Sequence, residues 1–307
     1  MKKIVLRAPA TSANVGPGYD IFAMSLSEPW DEFEISINDS NKIIIEILNN
    51  QEKIPADIMD NTAGLAISEL CQQKKIQQGI NIKIIKKMPS GCGLGSTGAS
   101  AVACIFGLNK LFNLNLSDNE IIDLARKGEV ASGGSPHADN VAAALLGGFV
   151  LVRSYNPIDV LKLEIPEFPV VLAIMKKSQR TTRGYITYAI GEEKLKEQMS
   201  HCSGVIHSIL TNNIVEFGKA INTDHIAEPV RGAAIPNYKS IKQNILKSGA
   251  LGLNISGGGS SVFAICHKKD QDNIAEVMEK NFSNNSYFDK VIKTTTSNNG
   301  IKILSNI

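Results

Sequence analysis

The run Pro89-Ser90-Gly91-Cys92-Gly93-Leu94-Gly95-Ser96-Thr97-Gly98-Ala99-Ser100 decides how the chain is read. A β-branched stretch at 80–85 precedes it and a helical stretch at 96–112 follows, so the glycines fall in a strand-to-helix turn. Glycines without Cβ atoms let backbone N–H groups close on an oxyanion, and a helix starting at Ser96 aims its positive end at the same spot. Ser96 and Thr97 place hydroxyls in the first turn, suited to a magnesium ion that bridges phosphates. The plainer alternative is a tight turn capped by Ser96 and Thr97. Two sharper readings fail on context. Gly93 to Gly98 satisfies G-x-G-x-x-G, but Asp118, 20 residues beyond Gly98, falls in a helix cap with no strand before it. A Walker loop is excluded because no Lys-Ser or Lys-Thr pair follows the glycines.

Three further clusters surround this loop in the sequence. Ala8-Pro9-Ala10-Thr11-Ser12-Ala13-Asn14-Val15-Gly16-Pro17-Gly18-Tyr19-Asp20 sets short polar groups and two glycines after a first strand. Gly128-Glu129 and Ser135-Pro136-His137-Ala138-Asp139-Asn140 gather two acids, an imidazole and an amide. Asn254-Ile255-Ser256-Gly257-Gly258-Gly259-Ser260-Ser261 is a second glycine loop, feeding a strand. Four such segments in one chain predict a polar site built from several loops.

Strands are expected at 4–8, 33–37, 42–48, 80–85, 149–153, 160–165, 170–175 and 261–266, with late strands closing the chain. Helices are expected at 61–74, 96–112, 140–146, 192–221, 238–247 and 270–282. A further helix starts at the S-x-x-E capping box Ser117-Asp118-Asn119-Glu120. The elements mix without a strict βαβ beat, which predicts an α+β fold. Pro166 and Pro169 mark the expected boundary between domains at 1–166 and 167–307.

Composition limits the function classes. The 32 basic and 30 acidic side chains leave a net charge of +2, which offers no basic surface for nucleic acid and no polybasic membrane patch. The 142–152 apolar run is too short for a bilayer span, which needs about 20 residues. Arg7 interrupts the place where a secretory leader needs its apolar stretch. Five cysteines without a CxxC pair point to a reducing cytoplasm rather than to disulfides or zinc. Cys92, beside a helix N-terminus, is expected to carry a lowered pKa and to be reactive.

The segment 89–100 resembles the second motif of the GHMP small-molecule kinases, P-x-x-x-G-L-G-S-S-A-x-S, and the segments around Asn14 and Gly258 resemble the first and third. Within that family the chain is most similar to the homoserine branch, on Ala8 to Asn14, Gly16 to Asp20, His137 to Ala142, and Glu228-Pro229-Val230-Arg231-Gly232. The resemblance runs over 5–266. It implies a ribosomal-S5-like N-terminal domain, a ferredoxin-like C-terminal domain and a site between them. It also implies ATP with Mg2+, transfer of the γ-phosphate to the hydroxyl of L-homoserine, and a homodimer.

By the same resemblance Pro89 to Ala99 wrap the phosphates, and Thr97 and Glu129 hold magnesium. Thr97 replaces the usual serine. Asn140 stands where several GHMP kinases carry an aspartate base. A neutral amide cannot accept the hydroxyl proton, so catalysis rests on positioning and charge neutralisation. Asp139 cannot share that direction, being about 100° away around a helix. Asp20 meets the substrate ammonium, Arg183 and Arg231 its carboxylate, and Asn14 adds hydrogen bonds. His137 either touches substrate or braces its loop. The chain departs from the family at Ser178-Gln179-Arg180-Thr181-Thr182-Arg183, where Gln179 replaces a threonine. The alternatives to this reading are a GHMP kinase for another small alcohol, and a nucleotide-binding sensor without turnover.

Overall fold

The computed structural model describes residues 2–51, 53–132, 135–176 and 190–306. The first sheet comprises β1 (Lys3–Ala13), β2 (Phe22–Asn38), β3 (Ile43–Leu48), β4 (Gly79–Ile85), β5 (Phe149–Tyr155), β6 (Ile158–Leu163) and β11 (Lys302–Asn306). Its order is β11-β1-β2-β4-β3, with β5 on the other end of β2 and β6 beside β5. Only β3 and β4 run parallel, joined by α1 (Thr62–Lys74). Helices α2 (Ser96–Leu111), α3 (Asp118–Gly128) and α4 (Asp139–Leu146) complete this part. Helix α2 lies at its centre, with all but three of its sixteen residues buried, because small and apolar residues occur on every side of it.

The second sheet holds β7 (Pro169–Met175), β8 (Gly252–Ile255), β9 (Val262–Ile265) and β10 (Phe288–Thr295) in the order β10-β7-β9-β8, all antiparallel. Numbered within this sheet, the order is 4-1-3-2, the split βαβ of a ferredoxin-like domain. Strand β7 is apolar throughout because both of its faces are covered. Val170, Leu172 and Ile174 join the large core with α5 (Glu192–Leu210) and α6 (Ile214–Ile221). Val171, Ala173 and Met175 join a second core with α8 (Tyr238–Lys247) and α9 (Gln271–Phe282). The α+β, two-domain expectation therefore describes the molecule.

Four details differ from the sequence expectations. The first strand does not stop at Ala8 but runs to Ala13, pairing Thr11 with Ser25 and Ser12 with Met24 across β2. The helical stretch 192–221 is two helices, broken at Asn212 (φ 52°) and restarted where Asn213 caps the backbone N–H of Glu216. A short helix, α7 (Glu228–Ala233), adds to those expected. Finally, β11 returns to pair with β1, so membership of the two sheets does not divide at residue 166.

Candidate active site

The glycine loop is sewn to two of the other polar segments, 8–20 and 254–261, by hydrogen bonds to its carbonyls. Thr11 donates its N–H to the Leu94 carbonyl at 3.1 Å, and Ser261 donates to that of Cys92 at 3.1 Å. Ser256 Oγ donates to the Gly93 carbonyl at 2.7 Å. Gly93 has φ +91°, and a Cβ there would stand 2.1 Å from the Ser256 carbonyl oxygen, so only glycine permits this closure. Gly95, at φ 67°, opens α2 without any side-chain cap. The helix N-terminus therefore keeps its backbone donors for an anion. Cys92 points inward, 1% exposed, with Sγ donating to the Pro89 carbonyl at 3.2 Å; burial, not reactivity, is its structural situation. The five cysteines form no disulfide.

Thr97, in the first turn of α2, donates to Glu129 Oε2 at 3.2 Å. Glu129 follows the last turn of α3 and is 5% exposed. A hydroxyl and a buried carboxylate side by side are hard oxygen donors suited to a divalent cation. Among the described residues no group of three or more His, Cys, Asp or Glu stands ready to hold a metal by itself. A small cleft beside Ser96 and Thr97 is lined by Ile47, Ile54, Asn61, Thr62, Ile84, Lys86, Ser90 and Ser100. Its lining mixes three isoleucines with seven polar side chains, next to the start of α2.

Sequence reading missed the group beneath this loop. Lys86, at the end of β4, forms a buried ion pair with Asp31 on β2 and also donates to Ser96 Oγ. Asp31 accepts further bonds from the N–H groups of Lys87 at 2.7 Å and Met88 at 2.9 Å. The one signal was a lysine doublet closing an isoleucine-rich strand directly before the glycines.

A second set of groups gathers around the turn 14–20. Asn14, Val15 and Asp20 all have positive φ (70°, 44° and 57°), which is costly for non-glycine residues and above all for a β-branched one. The Asn14 amide holds the turn together, donating to the Gly257 carbonyl at 3.0 Å and accepting from the Asp20 N–H at 3.1 Å. Gln198 of α5 donates to the Pro17 carbonyl at 2.6 Å. Asp20 Oδ1 lies 3.5 Å from His137 Nδ1, and its carbonyl accepts from the Tyr155 hydroxyl at 2.9 Å. Burial pushes that hydroxyl above the ordinary phenol range, with the Asp139 and Asp20 charges adding to it. Arg126 bonds the carbonyls of Pro136 and Tyr155, bracing the His137 segment from below.

Arg231, on α7, donates to the same Gly257 carbonyl at 2.7 Å and lies 5.3 Å from the centre of the Tyr19 ring. Asn140, second residue of α4, accepts a 2.7 Å bond from Thr11 Oγ1 on its carbonyl oxygen. Asp139 is buried, and its carboxylate accepts from the Asn140 N–H at 2.7 Å. The structure thus brings Asn14, Asp20, His137 and Arg231 around one turn, and Thr97, Glu129 and Asn140 around the start of α2. Arg183 and the 178–183 departure lie outside the described residues.

Sequence comparison decides the family. The model described as "GHMP kinases N terminal domain" matches residues 61–148, and "GHMP kinases C terminal" matches 205–284. The chain belongs to the GHMP kinases. Among curated proteins this GHMP kinase is 36% identical over 294 residues to the homoserine kinase of Methanococcus vannielii, covering 95% of this chain and 97% of that protein. It is 34% identical to that of Methanopyrus kandleri, covering 90% and 91%. Among solved structures it is similar to the homoserine kinase from Cytophaga hutchinsonii, with a TM-score of 0.89, 34% identity and coverage of 99% and 98%. Among the described residues no helix is long and apolar enough to cross a membrane.

Proposed function

We propose that this GHMP kinase transfers the γ-phosphate of ATP to the side-chain hydroxyl of L-homoserine, giving O-phospho-L-homoserine and ADP. The observation that carries the reading is the double use of the Gly257 carbonyl. Asn14, which shapes the turn presenting Asp20, and Arg231 both donate to that one oxygen. A carboxylate for an ammonium and a guanidinium for a carboxylate are thereby tied to one turn, a combination that an amino-acid alcohol requires and a sugar or mevalonate does not. The relatives named homoserine kinase over nearly their whole length support the same substrate.

Residues 89–99 wrap the phosphates with backbone N–H groups at the α2 N-terminus. Thr97 and Glu129 hold magnesium, which when bound neutralises charge on the phosphoryl oxygens. Asn140 meets the acceptor hydroxyl. An amide is no base, so the proton leaves with the transferred group. The alcohol oxygen bonds to the γ-phosphorus, and the bond to the bridging oxygen breaks with its electron pair on ADP. The alcohol proton passes to a phosphoryl oxygen. Asn14, with its amide bonded to Gly257 and Asp20, serves by shaping the turn, and His137 by its contact with Asp20.

The test is a split in Michaelis constants. Asp20→Asn and Arg231→Ala should each raise KM for L-homoserine by on the order of tenfold or more, the worth of one charge-assisted bond, with KM for ATP within twofold of the parent. Unchanged KM for homoserine in both variants would remove the amino-acid reading.

A further inference from the structure

Thr11 lies in β1 with no solvent exposure, and it is tied to two other parts of the site. Its N–H donates to Leu94 in the glycine loop, and its Oγ1 donates to Oδ1 of Asn140, 129 positions away, at 2.7 Å. The pair is wedged against the N-cap of α2. A Cβ on Gly95 would stand 1.9 Å from Thr11 Oγ1 and 2.9 Å from Asn140 Oδ1. Glycine at 95 is therefore required as much by this hydrogen bond as by the anion.

A carboxamide has an accepting end and a donating end, and a half-turn about its Cβ–Cγ bond exchanges them. A hydroxyl that donates to Oδ1 holds the oxygen end and leaves the amino end facing away. We propose that Thr11 is a positioning residue that fixes the Asn140 carboxamide in the orientation with Nδ2 toward the acceptor alcohol. Asn140 then donates to the alcohol oxygen, and the alcohol hydrogen is left to face the phosphoryl group. This rests on Asn140 meeting the acceptor, as proposed above. It gives a buried hydroxyl in β1 a part in the reaction that none of the motif readings assigned to it.

The experiment is a double-mutant cycle on the full chain, with kcat, both KM values and a thermal melt for each protein. Thr11→Val keeps the shape and removes the donor. It should lower kcat by about tenfold to a hundredfold, the scale of a misplaced reacting group, with KM for ATP unchanged. Thr11→Ser keeps the donor and should retain most of the activity. In an Asn140→Ala background, Thr11→Val should cause no further loss, because Thr11 acts through Asn140. If Thr11→Val fails to fold, Thr11→Ala takes its place in the same cycle.

Three results would overturn the inference: parental kcat in Thr11→Val, a Thr11→Ser protein as slow as the valine variant, or an equal loss from Thr11→Val in both backgrounds. A parental kcat in Asn140→Ala would instead overturn the role of Asn140, and the inference with it. The two failures are thus separable.

Discussion

Residue by residue, the site depends on buried polar groups tied to partners from distant segments. Lys86 and Asp31 are the extreme case, with side chains 3% and 0% exposed beneath the glycine loop. Burying two charges is costly, and the cost is met because Asp31 also accepts two backbone N–H groups while Lys86 also reaches Ser96. Removing one partner leaves the other charge stranded. Lys86→Met should therefore lower the unfolding free energy by about 3–5 kcal/mol, read from urea denaturation. A loss under about 1 kcal/mol, as for an exposed ion pair, would contradict this account of the pair.

At the scale of elements, α7 shows how a short segment is held in place to deliver one side chain. Asp224 accepts from the N–H groups of Ile226 at 2.9 Å, Ala227 at 2.8 Å and Glu228 at 3.0 Å. Glu228 in turn bonds the Tyr238 hydroxyl and Lys242, which anchors α7 on α8 and aims Arg231 at Gly257. Burial pushes the Asp224 carboxyl above its ordinary range, against the pull of the three backbone donors. The native protein then holds this proton more tightly than the unfolded chain does. The stability contributed by this group is intact below its unfolded value near 3.8 and is lost as pH rises through the raised native value. Asp224→Asn should flatten the fall it causes, seen as urea midpoints across pH 4–7 compared with the parent. Identical slopes for the two proteins would contradict it.

The same helix marks where sequence reading stops. Helices α2 and α3 were legible because glycines, a capping box and apolar periodicity act locally, and β7 because a short unbroken apolar run directly after Pro166 and Pro169 has few other uses. Helix α7 spans six residues with Pro229 near its start, and the buried Asp224 carboxylate, four positions before its first residue, fixes its entry by binding the N–H groups of Ile226, Ala227 and Glu228. No periodicity records such a bond. The small residues 8–13 looked like a loop for a related reason. Their pairing is with β2, and Ala8, Ala10 and Ala13 are small because other chain segments press on both faces. The charged and amide groups of the site were legible by type, whereas Lys86, Asp31, Tyr155 and the donor role of Thr11 depend on contacts between distant segments.

In the whole molecule, three glycine-containing segments and the α4 start meet because two sheets share one continuous core. Strands β7 and β9 contribute alternate residues to it, and β11 brings the end of the described chain back against β1. The glycine loop and the side chains of Asp20 and Arg231 thus belong to one framework, which under the proposed function predicts selection for an acceptor carrying both amino-acid charges. The most direct measurement is ADP release with magnesium-ATP and, separately, L-homoserine, D-homoserine, L-serine, mevalonate and galactose. Turnover confined to L-homoserine is the predicted result. Faster turnover with an acceptor lacking the amino-acid group, or ATP binding without turnover on any of the five, would contradict it.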